Sequence, residues 1–206
     1  MTRNIDRLLE RMRYFFGQRL GTEDFQVEQN YHLDRFRRRA LCLHGWGVVC
    51  GCAVAPVAGG TRVTISPGCA ISPQGDEIVI DEQTDFDLVN ATAAYLAVRY
   101  VERGTRPVAS GVGEPEFSRI SEAFELRLLA DIPASHRETR AAEAAWAVAA
   151  RAALLAGAGV PAPPCPGRYD DPWVVLAQIQ GGDIGLTDRR VLLGVGALQA
   201  LTVPPL

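Results

Sequence analysis

Positive charge in excess, histidine and long apolar runs are what this chain has least of. Against 24 Asp and Glu stand 21 Lys and Arg, for a formal net charge of −3, and only three histidines occur in 206 residues. Wrapping nucleic acid requires a wide cationic face that displaces counterions. The basic run of Arg35 with Arg37, Arg38 and Arg39 is too small to supply one, so no nucleic-acid partner is expected.

The opening "MTRNIDRLLERMRYFF" mixes charged with apolar residues. It has neither the unbroken apolar core nor the small-residue cleavage site of a secretory signal. The Ala-rich stretch from Ala141 to Val160 is interrupted by Glu143 and Arg151, which makes it a poor spanning segment. The expectation is a cytoplasmic chain with no membrane insertion.

Signatures of catalysis are also missing. A nucleophilic cysteine needs a base and an orienting acid, and the candidate bases are confined to His32, His44 and His136. No G-x-S-x-G elbow or local cysteine-protease pattern occurs. Asp76, Glu77, Asp81 and Glu82 lack the D-x-D-x-D-G spacing of a calcium loop and read as solvated acids beside turns. The glycines of "HGWGVVCG" are followed by neither Lys-Ser/Thr nor a helix, so they do not cradle phosphate. The chain is expected not to be an enzyme and to hold no cofactor.

Cysteine is sparse and odd in number, at five. In a reducing compartment such residues are usually buried apolar fillers or metal ligands. Cys42, His44, Cys50 and Cys52 have the chemistry of a tetrahedral zinc set but not its paired C-x₂₋₄-C knuckles. The favoured reading is that the cysteines fill the core, with no metal bound. Cys50 and Cys52 are too close in sequence to bridge each other easily.

What is present has two textures. Over residues 2–16, Ile5, Leu8, Leu9, Met12 and Phe16 recur at helical spacing between arginines and predict an amphipathic helix. A second helix is predicted from about Glu23 to Leu41, N-capped by Thr22, with Phe25, Gln29, His32, Phe36 and Ala40 facing inward. On that helix the Arg37–Arg39 run, beside Glu28 and Asp34, reads as a solvated face.

From Val48 onward, β-branched residues alternate between Gly and Pro punctuation, as in short antiparallel strands. "SPQGDE" has hairpin-turn chemistry, with Gly75 free to take a positive φ. "AAYLAVRYVE" and "EAFELRLLAD" predict longer strands joined by a loop over 103–117. Ser135 and Glu138 have capping-box spacing ahead of an Ala-rich helix over about 136–155, and "WVVLAQIQ" reads as a buried strand.

The predicted class is α+β. A helical arm over 1–44 precedes an antiparallel β module over 45–193, a sandwich or partly open barrel with the inserted helix. An apolar tail over 194–206 follows, to be tucked in or shared. Between helix and sheet, Gly45, Trp46 and Gly47 form a corner, the indole anchoring it.

Two strings go beyond pattern. "YFFGQRLGTEDFQVEQNYHLDRFRRRALCLHGWGVVCGCAV", Tyr14 to Val54, resembles the start of a family of bacterial proteins of unassigned mechanism found with phage-tail-like contractile injection systems. "VTISPGCAISPQGDEIVI", Val63 to Ile80, is similar to a hairpin recurrent in baseplate and tail-fibre attachment modules. Leucine is more usual in that pattern at Cys52 and Cys69, which weakens the zinc reading.

The resemblance implies a structural component docking on a baseplate, spike or tail fibre, with other particle subunits as partners. The expected assembly is a homo-oligomer, a trimer on a spike or a hexamer on a ring. Candidate docking residues are Ile5, Leu8, Leu9 and Met12 in the arm, with Leu198 and Leu201 in the tail. The alternative is a ligand- or glycan-binding adhesin module of a tail fibre using the loops at 103–117 and 157–172.

Overall fold

Helix gives way to sheet at Gly45. A computed structural model describes residues 9–88, 93–109, 113, 115–165, 167, 169–180 and 183–185. Helix α1 (Thr22–His44) begins after Gly21, whose amide donates to Asp24 Oδ2 at 2.8 Å. The predicted Thr22 hydroxyl cap is therefore corrected: the carboxylate at the third helical position reaches back to satisfy the free amide instead. The helix stops where Gly45 turns to φ 77° and donates to the Leu41 carbonyl at 2.9 Å.

The amphipathic helix predicted over 2–16 is not found in its described part. Residues 9–20 contain no helix; a turn at Phe16–Gly17 is closed by the Gln18 amide on the Phe15 carbonyl at 3.2 Å. The Met12 amide donates to Glu28 Oε2 of α1 at 3.1 Å. A short periodic stretch makes too few backbone bonds to repay helix nucleation.

The described strands form three antiparallel sheets and no closed barrel. The first orders β1 (Gly47–Gly51), β4 (Gly68–Ile71) and β5 (Glu77–Ile80). The second orders β2 (Val54–Pro56), β3 (Arg62–Ile65) and β6 (Thr84–Asp87). The third runs β10 (Asp183–Gly185), β9 (Val174–Gln180), β7 (Ala93–Val108) and β8 (Glu116–Leu129).

The inner faces share one core. Trp46, Val48 and Cys52 meet Val63 and Ile65, Ile78 and Ile80, and Leu96, Val98, Val174, Leu176 and Ile179. Strand alternation supplies this, since every second residue points the same way. The opposite face of the third sheet is covered as well: Ala97, Trp173 and Val175 form a second cluster with Tyr95, Leu129 and Ile132. That double burial explains why β9 opens with the unbroken apolar run Val174–Ala177.

Beyond Glu102 the β7–β8 hairpin is mostly exposed. Its pairing continues to Val108↔Glu116, so the loop predicted over 103–117 shrinks to the residues between these two. Gly104 and Pro107 disguised the strand in sequence. Phe117 covers the bare backbone at Gly104, where an added Cβ would lie 2.6 Å from the ring. Val108, Phe117 and Ile120 stay exposed.

Helix α2 (Ala134–Leu155) starts after Pro133, without a side-chain cap. The predicted Ser135–Glu138 capping box is therefore corrected. Proline's fixed φ begins the helix before Ser135, which lies buried within it.

Candidate docking site

Three features fix the elbow between α1 and the sheets. The first is Trp46, nearly fully buried. Its ring meets that of His136 edge-on at 4.7 Å and that of Tyr169 at 6.2 Å. His136 Nε2 accepts the Val175 amide at 3.1 Å, which places the ring proton on Nδ1. The Thr139 hydroxyl donates to Tyr169 Oη at 2.8 Å. Helix α2, strand β9 and the elbow thus converge on one indole. Sequence reading placed His136 only at a helix start; its partner lies 39 residues away.

The second feature is an ion pair. Arg37 Nε donates to Asp76 Oδ1 at 2.5 Å, with the side chains only 13% and 5% exposed. This corrects two expectations, since Arg37 is not part of a solvated face and Asp76 is not a solvated turn acid. Asp76 is held in turn by Ser72, whose hydroxyl donates to Asp76 Oδ2 at 3.3 Å and accepts the Asp76 amide at 3.0 Å. Glu102 of β7 lies 3.9 Å from the same guanidinium and accepts from the Tyr100 hydroxyl at 3.2 Å. Burial, with Glu102 and Glu122 nearby, pushes the Tyr100 phenol well above its ordinary range.

The third feature is contact without a side chain. Gly75, at φ +90°, sits in the β4–β5 turn directly on α1, and a Cβ there would lie 2.6 Å from the Arg37 carbonyl oxygen. Only glycine meets both conditions.

Away from this anchor α1 is largely uncovered. Leu41 is its one buried residue, with Ala40 packed beside it. The predicted inward face is corrected: Phe25, Gln29, His32 and Phe36 are all exposed, and the side turned inward carries Arg37, Ala40 and Leu41. Phe36 is 66% and Leu43 64% exposed, and Phe25, Val27 and Leu33 are also exposed. Tyr14, Phe15 and Phe16 add exposed rings just before the helix. Single exposed apolar residues are ordinary, whereas a group of this size on one element is the candidate docking surface of the described residues.

The candidate docking residues fare unevenly. Leu9 and Met12 are half-buried, while Ile5, Leu8, Leu198 and Leu201 lie outside the described residues. The rings at 14–16, 25 and 36 were missed because helical periodicity assigned Phe25 and Phe36 to a core.

The candidate zinc residues are not brought together. Cys42 and Cys50 are exposed, as is His44, while Cys52 is buried. Among the described residues no group of three or more His, Cys, Asp or Glu is placed to hold a metal ion. The reading of the cysteines as core fillers is corrected for Cys42 and Cys50, which are exposed, and Cys52 is the one that is fully buried. Cys52 takes φ 52°, and its Sγ occupies the space a side chain at Gly68 would need.

A groove of about 480 Å³ runs past Arg127, Asp131, Arg137, Asp171 and Trp173. Arg99 stacks over Trp173 at 4.9 Å and pairs with Glu125. Burial raises the Asp171 carboxyl, partly offset by the Trp173 amide it accepts. Among the described residues no helix is long and apolar enough to cross a membrane.

No family model matches the chain. No curated protein matches it. Among solved structures it is similar to one described as the crystal structure of TssK, with 14% identity, a TM-score of 0.41, and 61% of this chain and 36% of that one covered. It is also similar to a chain of the baseplate complex from the type VI secretion system, at 16% identity and TM-score 0.37 over 62% of this chain and 51% of that one. A chain of the TssK-TssF-TssG baseplate subcomplex of that system follows at 17% identity, TM-score 0.33, and coverage of 59% and 49%. The likeness thus spans between about a third and a half of those chains. Likeness of this degree leaves function to be argued from the chain's own residues.

Proposed function

We propose that the chain is a structural, non-enzymatic subunit of a contractile, phage-tail-like injection particle, and that it docks on a baseplate, spike or tail-fibre neighbour through α1 and the residues before it. The observation that carries this reading is the contrast along α1. Its C-terminal turns are clamped to the sheets by Arg37–Asp76 and Gly75, while Phe25, Leu33, Phe36 and Leu43 stay exposed. A helix held rigidly at one end that presents exposed apolar side chains among its polar ones offers pre-organised surface, so little ordering entropy opposes binding. The resemblance of residues 14–54 to proteins of such particles supports the same reading.

Assembly as a homo-oligomer, a trimer on a spike or a hexamer on a ring, would multiply each weak contact. Function then resides in offered surfaces, with the elbow setting their direction.

Deleting residues 1–16 tests the reading. The expected result is a folded protein, by circular dichroism, that no longer joins the particle. Normal incorporation of the truncated chain, or selective binding of the intact chain to a glycan array without binding to particle proteins, would count against it.

A further inference from the structure

The outer face of the first sheet carries two thiols that docking does not use. A bulge in β1 after Val48 shifts the register so that Cys50 stands directly opposite Cys69 of β4. Direct partners in an antiparallel pair share one face, with Cα atoms about 4.5–5.5 Å apart. A disulfide accepts Cα separations of about 4.4–6.8 Å, so this register meets its reach. Cys50 is exposed and Cys69 partly so, which leaves the pair open to a small reagent. Cys52 is excluded because it is buried against Gly68, and Cys42 and Cys165 lie on α1 and in the Pro-rich segment after α2.

Cys69 is set up as the second thiol to react. Its Sγ lies 3.7 Å from Glu77 Oε1, to which the thiol donates. Partial burial, Glu77, Cys50 and Cys52 together push it up to about 11, so it waits as a protonated thiol. The more exposed Cys50 is the one that meets reagent first.

We propose that Cys50 and Cys69 form a redox-responsive dithiol site that closes to a cross-strand disulfide in the presence of a low-molecular-weight disulfide such as glutathione disulfide. The Cys50 thiolate attacks one sulfur of the reagent, breaking its S–S bond and expelling one glutathione thiolate. Cys69 then loses its proton and attacks the Cys50 sulfur, breaking the mixed disulfide and expelling the second glutathione. Two protein thiols are oxidised and one reagent disulfide is reduced to two thiols. The new bond ties the strand that follows the elbow to its neighbour.

The test uses the full chain. In the Cys42→Ser, Cys165→Ser variant, which removes the two other exposed thiols, incubation with glutathione disulfide is expected to lower the free thiols, counted in denaturant, from three to one, with a mass loss of about 2 Da for the two hydrogens removed. Tryptic mapping is expected to join the peptide 40–62 to the peptide 63–99. Cys50→Ser and Cys69→Ser, each checked for native circular dichroism, are each expected to abolish that link. The proposal is overturned if three thiols persist in that variant, if glutathione remains attached to Cys50 as a stable adduct, or if the link survives in Cys50→Ser.

Discussion

Arg37 of α1 and Asp76 of the β4–β5 turn, 39 residues apart in sequence, form a nearly buried ion pair at 2.5 Å. Ser72 braces the carboxylate and Gly75 lets the helix backbone approach. The pair, the turn and the helix act as one joint.

Removing Asp76 takes the nearest carboxylate from a largely buried guanidinium and leaves it only Asp34 at 3.5 Å and Glu102 at 3.9 Å. Asp76→Ala is expected to cost about 3 kcal/mol, since breaking a buried pair is far worse than never having one. For a chain of this size that lowers the melting temperature by roughly 6–12 °C. The double variant Arg37→Met, Asp76→Ala is expected to recover part of the loss. Thermal unfolding of all three proteins checks this; equal melting temperatures for the wild type and Asp76→Ala would show that the pair contributes nothing.

Gly75 and Gly59 separate backbone strain from contact. Both have positive φ, +90° and +104°, but only Gly75 faces another element, the Arg37 backbone at 2.6 Å, with nothing within 4 Å of Gly59. Gly59→Ala is expected to cost about 1 kcal/mol from conformation alone. Gly75→Ala is expected to cost clearly more and to loosen α1, read by hydrogen exchange across residues 30–44. Equal costs would remove the contact from the explanation.

The indole cluster is expected to be stiff. His136→Ala strips the Val175 amide of its acceptor and opens space beside Trp46. A loss of about 2–3 kcal/mol is expected in urea titration, from the unsatisfied amide and the cavity together. Trp46 fluorescence is expected to shift to the red as water enters.

Exposed rings on α1 are expected to matter for assembly and not for folding. Phe36→Asp and Leu43→Asp should each change stability by less than about 0.5 kcal/mol, as surface substitutions do. Each is expected to reduce incorporation into the particle. A variant that assembles normally at wild-type stability would remove α1 from the interface.

Alkali is expected to loosen the fold from a defined pH. Cys69 is raised from 9.0 to about 11 in the folded chain and Tyr100 is raised in the same direction. Both groups bind their protons more tightly when folded. The contribution of Cys69 is therefore intact below pH 9 and lost as pH rises towards 11, and that of Tyr100 is intact below pH 10 and lost as pH rises beyond it. Before that point, at pH 8, iodoacetamide should label Cys50 well before Cys69, because a thiol near 11 is roughly one part in a thousand thiolate there.

Much of the local structure was legible. The acidic start and glycine stop delimit α1, the "SPQGDE" turn with Gly75 sits where its chemistry put it, and "WVVLAQIQ" contains the buried β9. These signals work because capping, turn geometry and strand alternation act within a few residues. The failures are just as local in origin. Phe25 and Phe36 were assigned inward because periodicity defines a stripe without saying what lies opposite.

The sequence by itself determined most of the helix, turn and strand segments, since those choices rest on φ preferences and neighbouring side chains. Its local pattern misled on the non-helical course of residues 9–16 and the strand pairing within 103–117. Only the tertiary structure decided that Arg37 meets Asp76, that His136 accepts from Val175, and that Cys50 faces Cys69 across a bulge. Each of those pairings joins residues 19 to 39 positions apart, as counted along the chain. At such separations the partner is chosen by the packing of whole elements, and short-range pattern carries no record of that choice.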